Sequence, residues 1–63
     1  MAKHLWHDLQ GAFDSAIDAD GSYEFNLAAA AMLTAIQQWL YDEGFDDAGD
    51  SLDEEILTAE NEG

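Results

Sequence analysis

The residues best suited to chemistry in this sequence are carboxylates crowded into its C-terminal third. Ten of the 15 acidic residues lie between Asp42 and Gly63, and no Lys or Arg interrupts them. Such a cluster favours binding to cationic groups, because opposite charges attract at close range. The candidate partner-binding residues are Asp42, Glu43, Asp46, Asp47, Asp50, Asp53, Glu54 and Glu55. Tyr41 joins them because it falls off the apolar stripe of its helix, where an exposed ring could stack on an Arg.

The density of these carboxylates is comparable with that of a nucleic acid. A helix rises about 1.5 Å per residue, and duplex DNA carries one negative charge per roughly 1.7 Å of axis. The alternative is a solvated acidic face that only keeps the protein soluble and monomeric. Two features favour recognition: the single cation, Lys3, is distant in sequence, and a net charge of −14 on 63 residues opposes folding by self-repulsion.

A second candidate chemistry is calcium binding in the segment 18–24. Asp18, Asp20, Gly21 and Glu24 match the middle of an EF-hand loop. The first and twelfth ligand positions would be Ala16 and Leu27, so two strong ligands are lacking. A plain interhelical turn is the favoured interpretation, and no metal site or cofactor is predicted.

Catalysis is not expected. His4 and His7 stand three residues apart and could share a helix face, but this spacing has little specificity for zinc. The carboxylate pair Asp46 and Asp47 lacks the apolar walls that would separate the pKa values of an acid and a base. We therefore predict neither catalytic residues nor an enzyme.

Composition excludes several partners and compartments. There is no Cys, hence no disulfide or thiolate ligand. The longest purely apolar stretch, Leu27–Leu33, is far shorter than the roughly 20 residues that span a bilayer. A strongly anionic surface repels nucleic acid and anionic lipid. The expected partner is therefore a basic, Lys/Arg-rich protein or complex rather than nucleic acid or membrane, and the expected compartment is the cytoplasm.

The N-terminal half predicts one helix, a turn and an extended segment. Leu5, Leu9, Phe13 and Ile17 recur every four residues, which predicts a helix from about residue 3 to 18. Gly11 marks either a close helix crossing or a weak point. An Asp-Gly turn follows, and the alternating segment 22–26 predicts an extended linker or short strand.

The C-terminal half predicts two helices. Asn26 is a suitable N-cap for a helix over 27–42, and Gly44 for its left-handed C-cap, with Phe45 folding back onto the last turn. After a connection over 46–50, Ser51 and Glu54 match a capping box that begins a short third helix over about 52–60. Residues 61–63 are expected to fray.

These elements predict a single all-α domain over 1–63, arranged as an antiparallel three-helix unit with two longer helices and a short C-terminal one. A homodimer is also plausible, because one chain this short builds little core. The candidate interior residues are Leu5, Trp6, Leu9, Phe13, Ile17, Tyr23, Phe25, Leu27, Met32, Leu33, Ile36, Trp39, Leu40, Phe45, Leu52, Ile56 and Leu57.

In length, acidity and near absence of bases, the chain resembles the small phage-encoded proteins that mimic DNA to block defence systems, including anti-CRISPR and anti-restriction proteins. The resemblance covers the whole chain and is one of composition. It implies an inhibitor that occupies a Lys/Arg-lined DNA channel in the host cytoplasm and excludes DNA by competition. The alternatives are an acidic adaptor that docks on a basic protein, and a weak EF-hand-like calcium-binding helix pair.

Overall fold

Three helices account for most of the chain. The computed structural model describes residues 4–62, and the helices are α1 (Leu5–Ser15), α2 (Phe25–Glu43) and α3 (Asp46–Glu62). No strand is present within these residues, so 22–26 contains none. The all-α, three-helix prediction is confirmed, but the predicted order of lengths is wrong: α3 has 17 residues and α1, with 11, is the shortest.

Helix α1 is shorter at both ends than its apolar periodicity predicts. Helix α1 begins after His4, which has an extended backbone conformation, and it ends at Ser15. Lys3, the predicted start, lies outside the described residues. Gly11 is exposed, and no heavy atom lies within 4 Å of where its Cβ would be, so it marks no close helix crossing.

The connection from α1 to α2 is closed by a tight turn. The amide of Gly21 donates to the carbonyl of Asp18 at 2.9 Å, and Gly21 adopts a φ of 89° that favours glycine. The amide of Ser22 donates to Oδ1 of Asp20 at 3.1 Å, an Asx turn. Asn26 is not the N-cap of α2, because helical geometry already begins at Phe25 and Glu24 occupies the cap position.

Helices α2 and α3 are joined by the predicted glycine cap. Gly44 has a φ of 92°, its amide donates to Tyr41, and the amide of Phe45 donates to Leu40 at 2.8 Å. These two bonds form a Schellman motif, which satisfies carbonyls left open at the helix end. The cap reverses the chain within two residues, so α3 returns antiparallel along α2.

Helix α3 begins at Asp46, five residues before Ser51, where the predicted capping box starts. The carbonyl of Phe45 accepts the amide of Gly49 at 2.9 Å, so the helix starts immediately after the Schellman motif. Asp46 and Asp47 then occupy the first turn, where negative charge is favoured by the helix dipole. Ser51 caps nothing; its Oγ donates to the carbonyl of Asp47 within the helix. Helix α3 continues through Asn61 and Glu62, and Gly63 lies outside the described residues.

The helices form a flat layer rather than a bundle. The Cα atoms extend 37 × 26 × 9 Å, and α1 and α3 each pack on α2 without touching one another in the described residues. Ala28 is 3% exposed and Gln37 is 7% exposed. They are nine positions apart, which at about 100° per residue places them on opposite sides of α2. Helix α2 is thus the middle of the layer.

The predicted core is wrong in one respect: its large side chains are not enclosed. Among the described residues, the buried hydrophobic side chains are Ala28 and Ala30, and no large side chain is fully buried. A single layer of helices covers the flanks of α2 but neither of its faces, so large apolar groups stay partly in solvent. Six of the predicted core residues are exposed, namely Trp6, Tyr23, Phe25, Leu27, Phe45 and Leu57.

Candidate functional site

The predicted acidic residues lie on two consecutive helices rather than on a loop. Asp42 and Glu43 end α2, and the other six lie on α3. All eight are exposed. The segment Asp46–Asp50, predicted as a connection, is the first part of α3, so the spacing of these carboxylates is set by helix geometry.

The carboxylates of α3 extend from the edge of its contact with α2 around to the side of the helix that faces away from α2. Asp46, Asp50 and Asp53 are three and four residues apart and form one stripe beside the α2 contact. Asp47 and Glu54 lie seven apart and form a second stripe, rotated about 100° from the first. Glu55 lies farther round. We call these six residues the acidic array of α3.

The acidic array has a charge spacing close to that of a nucleic-acid strand. Six carboxylates occupy the ten residues from Asp46 to Glu55. Ten residues of helix span about 15 Å, so one charge falls every ~2.5 Å. This value lies between the roughly 3.4 Å per charge of one DNA strand and the 1.7 Å of the duplex.

Gln37 of α2 holds the acidic helix in place. Its Nε2 donates to the carbonyl of Gly49 at 2.8 Å and to Oδ1 of Asp53 at 2.6 Å, so both hydrogens of the buried amide are used. Sequence reasoning missed Gln37 and Gly49. Two features of the sequence could have indicated this contact. Gly49 is small enough to allow close approach of two helices, and Gln37 is a polar residue in a largely apolar part of α2.

Tyr41 makes the second contact between α2 and α3; it is half-buried rather than exposed, and its predicted role as a partner contact stays a prediction. Its Oη donates to Oδ1 of Asp50 at 2.8 Å, and its ring lies against Gly49. The hydrogen bond to Asp50, then burial, then the charges of Asp50, Asp53 and Asp46 raise the pKa of Tyr41 to about 12. The side chain lies between α2 and α3 and helps to hold α3, and with it the acidic array, against α2.

The other two candidate sites form local structures. The segment 18–24 is the turn described above, in which Oδ1 of Asp20 accepts the backbone amide of Ser22. The rings of His4 and His7 meet edge to face with centroids 5.6 Å apart. Within the described residues, no three His, Asp or Glu side chains are grouped so that they could hold a metal ion.

An open groove of about 450 Å³ lies between α1 and α2. It is lined by Trp6, Leu9, Gln10, Phe13, Asp14 and Met32. Sequence reasoning assigned four of these residues to the interior and did not predict a groove. The groove results from the flat arrangement of the helices, and hydrophobic periodicity in the sequence does not indicate how helices are arranged.

The fold and the array together define a small acidic protein built as one layer of three helices. No helix among the described residues is long and apolar enough to span a bilayer. Comparison of the chain with protein-family models, curated proteins and solved structures gives no match.

Proposed function

We propose that this protein inhibits a nucleic-acid-binding defence complex or nuclease by occupying its basic DNA-binding surface as a DNA mimic. The observation that carries the proposal is the acidic array: six exposed carboxylates at about the charge spacing of a phosphate backbone, held on a helix. All six carboxylates are exposed, including Asp50 and Asp53 beside α2, so a Lys/Arg-lined groove can approach the array along α3.

The way α3 is fixed also supports this function. A mimic that is already ordered loses little conformational entropy on binding, so more of its electrostatic attraction becomes affinity. Gln37 and Tyr41 supply that order through hydrogen bonds to Asp53 and Asp50. These two acids hold α3 in place, whereas Asp46, Asp47, Glu54 and Glu55 are the better candidates for direct contact.

The test is competition with DNA. Purified CRISPR effector complexes and restriction nucleases are incubated with the protein, and DNA binding and cleavage are measured between about 50 and 200 mM salt. We expect inhibition that weakens steeply with salt, because affinity between charged surfaces is screened.

The matched variants neutralise four charges each. One carries Asp46→Asn, Asp47→Asn, Glu54→Gln and Glu55→Gln, which spares the two acids bonded to α2. The control carries Asp8→Asn, Asp14→Asn, Asp18→Asn and Glu24→Gln, outside α3. The proposal requires that the first variant loses inhibition and the control keeps most of it.

An acidic adaptor gives a different result in the same assay. It would bind the basic protein while DNA stays bound, so a ternary complex would be recovered. Such a complex, or equal losses in both variants, would contradict DNA mimicry.

A further inference from the structure

One face of the helical layer is apolar and uncovered. The two neighbouring helices pack against α2 along the sides that contain Ala28 and Gln37. The stripe of α2 between these two sides is therefore not covered by a helix. At about 100° per residue this stripe contains Phe25, Met32, Ile36 and Leu40. Phe25 is 76% exposed, and the other three are half-buried.

Helix α1 extends the same face. Trp6 and Phe13 line the groove together with Met32, which places them beside the α2 stripe. Trp6 is 67% exposed. We call the six residues Trp6, Phe13, Phe25, Met32, Ile36 and Leu40 the open face.

The chain exposes more surface than a compact protein of its size. Its accessible surface is 4504 Å², whereas a folded monomer of 6.9 kDa exposes about 4,000 Å². Its radius of gyration is 12.2 Å, compared with about 10.6 Å for a globular domain of this length. Stable domains pack two layers around one core, and this chain supplies one layer.

The area available matches what a stable dimer needs. The Cα atoms of the layer fit within a rectangle of 37 × 26 Å, about 960 Å², which is an upper bound on the footprint of one face. A standard protein interface takes roughly 800 Å² from each partner. A face-to-face interface of standard size would therefore use most of one face of the layer, with the open face at its centre.

The charge distribution permits a second copy on this face. No residue from Phe25 to Tyr41 is charged, so the α2 part of the open face is neutral despite the net charge of −14, and the one acid that lines the groove is Asp14 of α1. The acidic array begins beside the contact with α2, at Asp50 and Asp53, and extends around the outer side of α3 at the edge of the layer. Two copies can then join their apolar centres while most carboxylates remain at the periphery.

We propose that two copies of this chain pack face to face through the open face and form a two-layered symmetric homodimer. In a two-fold dimer the same patch of each copy contacts the other, so the grooves of both copies would lie within the interface. The proposal does not rest on DNA mimicry. Its salt dependence is also opposite: screening of like charges strengthens the dimer, whereas screening of unlike charges weakens binding to a basic partner.

The test measures mass by sedimentation equilibrium across protein and salt concentrations. We expect a species of twice the 6.9 kDa chain mass, favoured by added salt. Phe25→Ser should shift the equilibrium at least tenfold toward monomer. Leu27→Ser is the matched control, because Leu27 is also exposed, at 53%, but lies on the opposite face.

A second pair of variants uses charge. Met32→Glu should abolish the dimer, whereas Thr34→Glu, exposed on the opposite face, should not. Circular dichroism reports whether each variant is folded. Since Phe25 is mostly exposed within one chain, Phe25→Ser remains informative if Met32→Glu unfolds.

Three outcomes would overturn the proposal. The first is a monomer at all concentrations, which would leave the open face for a different partner. The second is a dimer that Phe25→Ser and Leu27→Ser weaken equally. The third is a mass that grows without limit, which indicates aggregation.

Discussion

The hydroxyl of Tyr41 donates a 2.8 Å hydrogen bond to Asp50 across the α2–α3 contact. The bond requires the tyrosine proton, and the carboxylates of Asp46, Asp50 and Asp53 oppose a phenolate at this position. These three acids of the acidic array therefore make the attachment of α3 sensitive to alkaline pH.

Stability should decline as the pH rises from 10 to 12. The pKa of Tyr41 is about 12 in the folded chain and 10.0 in the absence of these interactions, so the folded state retains a proton that the unfolded state loses. This contribution to the free energy of unfolding is complete below pH 10 and is lost through the window above it. Urea unfolding at several pH values measures the slope.

Two variants make that measurement specific. Tyr41→Phe should remove the additional slope that Tyr41 produces, and a slope unchanged in this variant would contradict the assignment. Tyr23→Phe leaves Tyr41 as the one tyrosine, so tyrosinate absorbance in that variant reports its titration directly.

Gln37→Ala should destabilise the protein by about 1–3 kcal/mol. The substitution removes both hydrogen bonds from α2 to α3 and leaves space at a buried position. Gln38→Ala is the control, because Gln38 is exposed on the same helix, and it should change stability by less than about 0.5 kcal/mol. Equal effects in thermal unfolding would show that Gln37 does not anchor α3.

Gly49→Ala should destabilise although alanine is the better helix former. The added Cβ would lie 2.6 Å from Cε1 of Tyr41, so the ring must rotate away from Asp50 or α3 must move out. Overpacking of this kind costs about 1–3 kcal/mol. Gly11→Ala meets no atom within 4 Å and should stabilise α1 by up to about 1 kcal/mol. Chemical denaturation separates the two variants, and a stabilising Gly49→Ala would contradict the close contact.

Gly44→Ala should cost about 1 kcal/mol or more. Gly44 has a φ of 92°, and a Cβ is strained in that region of backbone space. Gly44→Asn should cost less, because asparagine tolerates the left-handed conformation better than alanine does. The same unfolding measurement ranks the three proteins, and equal stability for glycine and alanine would argue against the Schellman motif.

Local rules predicted the helix end at Gly44, and they failed at the start of α3. A glycine after an apolar periodic run is sufficient to indicate a left-handed cap. Asp46, Asp47 and Gly49, in contrast, have intrinsic preferences for turns, and these preferences suggested a connection. Packing of Gly49 beneath Tyr41 and the bond from Gln37 stabilise helix there, which is a tertiary effect that propensity does not contain.

The same distinction applies to the site. The acidic residues themselves were identifiable from sequence, because their number and grouping do not depend on the fold. The contact between Tyr41 and α3 was not identifiable from sequence, because a residue off one apolar stripe is exposed only if no other helix packs on that side. Periodicity also identified the apolar residues of α1 and α2 without indicating that one whole face would stay open.

Within residues 4–62, α1 and α3 communicate only through the helix between them. We therefore expect α1 to open as a separate cooperative unit while the α2–α3 hairpin stays intact. Amide hydrogen exchange should be faster in α1 than in the hairpin. Exchange of α1 between two molecules would also leave the hydrogen bond between Gln37 and Asp53 unchanged, because α1 takes no part in that bond.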